Sequence, residues 1–188
     1  MQMSVQRTSS PAKVLIVPGL YGSGPEHWQS QWEKQNPEFV RVNQLDWDTP
    51  HCQDWIATLD AAIRNENDHV ILVGHSLGSV TIAQWANRYG RRVVGALMVA
   101  PSDTEAATFP EGTTGFSPIP TGHLPFPSTV IASTEDPYIS FERVTELSKV
   151  WGSKLVSLGA RGHISVADGF GPWPEGLQYI AELQATAI

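Results

Sequence analysis

"VILVGHSLGSV", residues 70–80, is the stretch from which the fold can be read. Four apolar residues in a row run into a glycine, which is how a strand buried on both faces of a sheet is written. After the turn come Leu77, Val80, Ile82, Ala83 and Ala86, apolar on most sides, so the expected element is a central buried helix. Between them a lone hydroxyl, Ser76, stands two residues from glycine on either side.

Working outward, the same alternation recurs along the chain. Continuous apolar runs at 13–17, 93–99 and 128–133 read as further buried strands, and the mixed runs at 39–43 and 154–158 as edge strands. Helical faces are spelled by Trp28 and Trp32, by Ile56, Leu59 and Ile63, and by Phe141, Val144, Leu147 and Trp151. A last helix is expected over about 174–186, with Pro174 near its start. Strand–helix alternation with right-handed crossovers predicts an α/β fold, a doubly wound, mostly parallel six-stranded sheet in the order 2-1-3-4-5-6. The expected organisation is a frayed tail over 1–12 and one domain over 13–188, without a cap domain. The Pro- and Gly-rich stretch 101–127 is expected to wall the carboxyl edge of the sheet or to act as a lid over it.

Composition narrows the function classes. With 12 Lys+Arg against 19 Asp+Glu, the net charge of −7 gives little support to nucleic-acid binding. No apolar run approaches the ~20 residues of a membrane helix, and the polar start lacks the apolar centre of a secretory signal. A single cysteine, Cys52, excludes an internal disulfide and suits a reducing compartment, so the expected location is cytoplasmic. No His/Cys/Asp cluster has metal-ligand spacing.

The turn itself is G-x-S-x-G, Gly74-His75-Ser76-Leu77-Gly78, the pattern of a nucleophile elbow. A strand that becomes a helix within one residue crowds the chain around the serine, so small residues are needed two before and two after it. Glycine also ends strands and serine also caps helices, so the reading requires a base and an acid elsewhere. Of six histidines, His27, His51, His69 and His75 lie in early loops, at a strand start or inside the elbow, and His123 in the Pro-rich stretch. His163 follows the last strand in a glycine-rich loop able to arch over the sheet, and is the expected base. Asp136, just past the fifth strand, is the expected acid, with Asp103 and Glu135 as alternatives. The order Ser76, Asp136, His163 is that of α/β-hydrolases. Oxyanion donors are expected from the backbone N–H of Leu77 and of Leu20 in "VPGLYGSG", with Tyr21 as the fallback. Asp168, beyond the histidine, is expected to be a surface or loop-bracing residue.

These motifs resemble the small serine hydrolases grouped with retinoblastoma-binding protein nine and its bacterial relatives. The likeness is carried by "VPGLYGSGPEHWQSQWE", "VGHSLGS", "LPFPSTVIASTEDPY" and "GHISVADGFGPWPEG", over about residues 13–185. It implies a compact α/β-hydrolase fold and a Ser–His–Asp triad of Ser76, His163 and Asp136, with no cofactor. The L-x-C-x-E segment behind that family's name is absent, because the one cysteine lies in "TPHCQDW", so no retinoblastoma-type partner is expected. The expected activity is hydrolysis of a small-molecule carboxylic ester or amide through an acyl-enzyme. The rivals are a ligand- or partner-binding protein on the same fold with little turnover and an acyltransferase with the same residues. Tyr21, Trp28, Phe116 and Trp173 are candidates for the pocket wall, although such residues are more often core.

Overall fold

A computed structural model describes residues 10–186. Six strands, β1 (Lys13–Val17), β2 (Phe39–Arg41), β3 (Val70–His75), β4 (Gly95–Val99), β5 (Ser128–Ala132) and β6 (Lys154–Ser157), form one sheet in the order β2-β1-β3-β4-β5-β6. All five pairings are parallel, with Ile16 beside Val73, Val73 beside Leu97 and Met98 beside Val130. The expected order is therefore the observed one, and β1 and β4 flank β3 on opposite sides.

Period-two alternation sorts the strand side chains onto two faces. Leu15, Val17, Leu72, Met98 and Val130 pack against α2 (Cys52–Asn65), α3 (Leu77–Tyr89) and α4 (Phe141–Trp151). Val14, Ile16, Ile71, Val73, Leu97 and Ile131 pack against α1 (Trp28–Gln35) and α5 (Leu177–Ala185). Covering both faces explains why the central strands read as unbroken apolar runs. β3, β4 and β5 are buried at every residue, whereas the edges β2 and β6 are not.

Trp28, Phe116 and Trp173 are buried in the core, and none of them lines the cavity over Ser76. Trp28 and Trp32 meet edge to face at 4.6 Å, and Trp32 stacks on Trp173 at 5.5 Å. Truncating such a side chain to alanine typically costs about 3–5 kcal/mol. The last helix begins with a short 3-10 turn, Pro174–Gly176, before α5. Of the expected tail, residues 1–9 lie outside the described region. Ala12 is buried and exchanges two hydrogen bonds with the Gln184 side chain.

The stretch 101–127 is fastened at several points. Gln84 Nε2 donates to the carbonyls of Phe116 and Pro118, Trp151 Nε1 to that of Pro120, and the Cys52 amide to that of Thr114. Arg143 pairs with Glu105 at 2.7 Å. These ties hold it to α2, α3 and α4 as it runs from the carboxyl end of β4 to the amino end of β5. Among the described residues no helix is long and apolar enough to cross a membrane.

Candidate active site

Ser76 sits between β3 and α3 at φ 58°, ψ −123°, a positive-φ conformation that costs on the order of 1–3 kcal/mol in a non-glycine residue. Its amide is pinned to the Val99 carbonyl at 3.0 Å, and the Ser79 hydroxyl donates to that same carbonyl. The flanking glycines are required, for two different reasons. A Cβ at Gly74 would lie 2.8 Å from the Ser79 amide, inside the elbow's own first helical turn. A Cβ at Gly78 would lie 2.0 Å from the Val17 carbonyl, so that glycine makes room for the neighbouring strand rather than for the elbow.

His163 Nε2 lies 2.8 Å from Ser76 Oγ, although 87 positions separate them in the chain. His163 Nδ1 lies 2.9 Å from each oxygen of Asp136, whose side chain is 1% exposed. The Tyr138 amide donates to Asp136 Oδ1, fixing the carboxylate, and the Tyr138 ring meets the imidazole edge-on at 4.5 Å. An ionised carboxylate only accepts, so Nδ1 carries the proton and Nε2 offers its lone pair to the Ser76 hydroxyl. The alternatives stay away from this chain. Asp103 accepts from the Glu105 amide, and His123 Nδ1 lies against the Leu124 carbonyl with its ring packed on Gly152.

The loop bearing His163 is clamped at both backbone groups of that residue. Its N–H donates to Asp168 Oδ2 at 2.9 Å, and its carbonyl accepts from His75 Nε2 at 2.9 Å. Asp168 Oδ2 also takes the Ser165 hydroxyl at 2.8 Å, which is the bracing expected of it. Gly162, at φ 56°, leaves the Asp168 carboxylate room to reach in. The role of His75 was not anticipated. A histidine between Gly74 and Ser76 reads as elbow filler until the far loop folds onto it.

His27 and His75 lie side by side at a tilt, with ring centroids 4.6 Å apart and His75 4.9 Å from His163. Burial, then the charges of Arg41 and His163, lower the His27 pKa from 6.5 to about 4. Its Nδ1 also accepts the Gln29 amide at the start of α1, a bond that protonation there would break. Burial likewise holds His75 well below the usual range. Both rings are therefore neutral near pH 7. Cys52 is buried, and burial pushes its thiol up to about 11, so it offers no thiolate.

Gly19 lets the loop after β1 approach the elbow. A Cβ there would meet the His75 carbonyl at 2.8 Å and the Leu77 amide at 3.1 Å. The amides of Leu20 and Leu77 have no acceptor among the described residues, whereas the Tyr21 amide is taken by the Trp47 carbonyl at 3.0 Å. Arg41 of β2 fastens this loop, reaching the carbonyls of Gly22 and Ser23 and the carboxylate of Glu33. A cavity of about 410 Å³ opens over Ser76, lined by Leu20, Tyr21, His27, Phe109, Tyr138 and Ala167 among others, with no Lys or Arg. A wider depression of about 590 Å³ lies between Arg161 and Tyr179; neither Ser76 nor His163 lines it.

One further residue enters the site unannounced. Ser102, past the end of β4, places its hydroxyl 2.7 Å from Ser76 Oγ.

The model of a family described as serine hydrolase matches residues 14–182. Among solved structures, a protein described as a YdeN-like hydrolase from Pectobacterium atrosepticum is 32% identical, with a TM-score of 0.83 over 94% of this chain and 92% of that one. The ydeN gene product of B. subtilis is 21% identical, with a TM-score of 0.76 over 92% and 98% of the two chains. An esterase from Thermogutta terrifontis shares the fold at 14% identity, with a TM-score of 0.66 over 93% and 89%. No curated protein matches.

Proposed function

The chain belongs to the serine hydrolase family, and from that premise we propose that it hydrolyses small, uncharged carboxylic esters or amides through an acyl-enzyme on Ser76. The observation that carries this reading is one unbroken hydrogen-bond chain, Ser76 Oγ to His163 Nε2 at 2.8 Å and His163 Nδ1 to Asp136 at 2.9 Å. A serine hydroxyl is a poor nucleophile at neutral pH, and a base held in this orientation is what activates it.

In the proposed cycle Ser76 Oγ attacks the carbonyl carbon as its proton passes to His163 Nε2. Asp136 holds the Nδ1 proton and stabilises the imidazolium. The carbonyl oxygen, now negative, takes hydrogen bonds from the amides of Leu20 and Leu77, each worth ~3–4 kcal/mol to the transition state. The alcohol leaves with the proton from His163. Water then attacks the acyl carbon, giving its proton to His163, and Ser76 departs and recovers a proton from the same nitrogen. The cycle requires an unprotonated Nε2 on His163, because that nitrogen has to take the Ser76 proton.

The substrate class follows from the cavity. Its volume, about 410 Å³, lies near the small end of ligand pockets, which favours short and medium acyl chains. The mostly apolar wall carries no Lys or Arg to neutralise a carboxylate, and the net charge of −7 repels one. The test pairs labelling by a fluorophosphonate with turnover of p-nitrophenyl esters of graded length. Wild type is expected to take the label and to prefer short, neutral acyl groups, and Ser76→Ala to do neither. Ester turnover or labelling that survives in Ser76→Ala would refute the assignment.

A further inference from the structure

The contact between Ser102 and the nucleophile has a direction that the rest of the site dictates. His163 Nδ1 faces the acceptor-only Asp136 carboxylate, so Nε2 is bare and the Ser76 O–H points at it. Ser76 has one hydrogen, so at its second contact, 2.7 Å from Ser102 Oγ, its oxygen accepts. The Ser102 hydroxyl is the donor.

Nothing in the fold accounts for that hydroxyl. Ser102 is 2% exposed, and its side chain has no other hydrogen-bond partner among the described residues. A buried hydroxyl is unfavourable unless it is bonded, and here its bond goes to the reacting oxygen. The backbone around it is strained toward that end: Ala100 stands at φ 43°, with its amide on the Ile131 carbonyl, and Pro101 follows. The Leu20 loop follows β1 and Ser102 follows β4, strands on opposite sides of β3, and the contact Ser102 makes is to Oγ itself. It is therefore not a third oxyanion donor.

We propose that Ser102 is a further catalytic residue, a hydrogen-bond donor to Ser76 Oγ that stabilises charge on that oxygen whenever its bond to the acyl carbon forms or breaks. The inference rests on Ser76 being the nucleophile. In acylation the Ser76 proton moves to His163 Nε2 as the Oγ–carbon bond forms, and the Ser102 hydrogen bond strengthens while Oγ has alkoxide character. In deacylation the Oγ–carbon bond of the tetrahedral intermediate breaks and its electron pair stays on Oγ. The His163 proton passes to Oγ, and the Ser102 O–H bond remains intact throughout. By microscopic reversibility both half-reactions gain, whereas departure of the substrate's own alcohol does not involve Ser102.

The experiment compares Ser102→Ala, Ser102→Thr and Ser102→Val with wild type, following the burst and steady-state phases of p-nitrophenyl butyrate hydrolysis and the melting temperature. Thr and Val share a shape and differ in the hydroxyl, so a packing role would affect them alike. Losing a hydrogen bond to a developing charge is worth about a tenfold drop in rate or more. The expected result is that drop in both phases for Ala and Val, with KM unchanged and Thr recovering most of the loss. Wild-type rates in Ser102→Ala would overturn the proposal, as would a Thr variant that folds and is as slow as Val. If the larger variants do not fold, Ser102→Ala decides alone, by a slowed burst at unchanged KM and melting temperature or by no slowing. Ser76→Ala run in parallel separates the two levels: a burst surviving there sinks the reading of the site itself, whereas its loss leaves only the role of Ser102 in question.

Discussion

His27 lets acid stability be traced to one ring. Its pKa falls from 6.5 to about 4 on folding, because the ring is buried behind the site with Arg41 and His163 nearby. The unfolded chain therefore takes up the proton first as pH drops. Stability from this group is complete above pH 6.5 and is lost between there and about pH 4. Two and a half pH units at about 1.4 kcal/mol each make roughly 3–4 kcal/mol, a large share of the 5–15 kcal/mol typical of a domain. His75, lowered in the same direction by burial, adds to the slope. The informative variant is His27→Asn. Asparagine is a good first-turn cap, so its carbonyl can still accept the Gln29 amide while the titration is removed. Urea unfolding at intervals from pH 7.5 to 4.5 should give a shallower fall for His27→Asn, with its slope reduced by up to about 1.4 kcal/mol per pH unit. The absolute stability at pH 7 also drops, because the ring's packing on Trp28 and His75 is lost, but the slope is independent of that offset. Parallel curves for the two proteins would refute the reasoning.

Two further outcomes test the site. Asp136→Asn should lower ester kcat by a factor on the order of 10³–10⁴, because the amide no longer holds the required tautomer; Asp103→Asn and Glu135→Gln should stay near wild type in the same assay. Gly19→Ala should lower kcat about 10²–10³-fold with a small change in melting temperature, since its φ of −90° suits alanine but the new Cβ pushes the Leu20 loop off the elbow; unaltered turnover would remove Leu20 from the oxyanion site.

The strands were legible because a parallel sheet covered on both faces leaves nearly continuous apolar runs, and those runs fall on β1, β3, β4 and β5. Their order followed from crossover handedness and connection length, which few topologies satisfy together. Ser76 was legible because an elbow forces glycine at fixed spacing. Other parts of the site have no such spelling. Ser102 lies 26 positions from Ser76, and nothing in "VAPSD" marks its hydroxyl as aimed at the serine just past the end of the neighbouring strand. His75 was visible inside the elbow, but nothing nearby in the chain points to its partner, a backbone carbonyl 88 positions away. Trp28, Phe116 and Trp173, candidates for the pocket wall, fill the core because rings of that size bury more favourably than they line an open cleft.

The amino-acid sequence by itself determined the layering of the sheet, the position of the strained turn, and a serine, an aspartate and a histidine in a hydrolase order. Those features are local: side-chain periodicity and backbone crowding act between residues a few positions apart. Which hydroxyl donates to the nucleophile, which carboxylate and imidazole clamp the loop of His163, and how large a cavity is left over Ser76 were decided only by the tertiary structure. Hydrogen bonds and packing depend on ångström distances between separate loop ends, and those distances exist only once six parallel strands bring the loops to one edge.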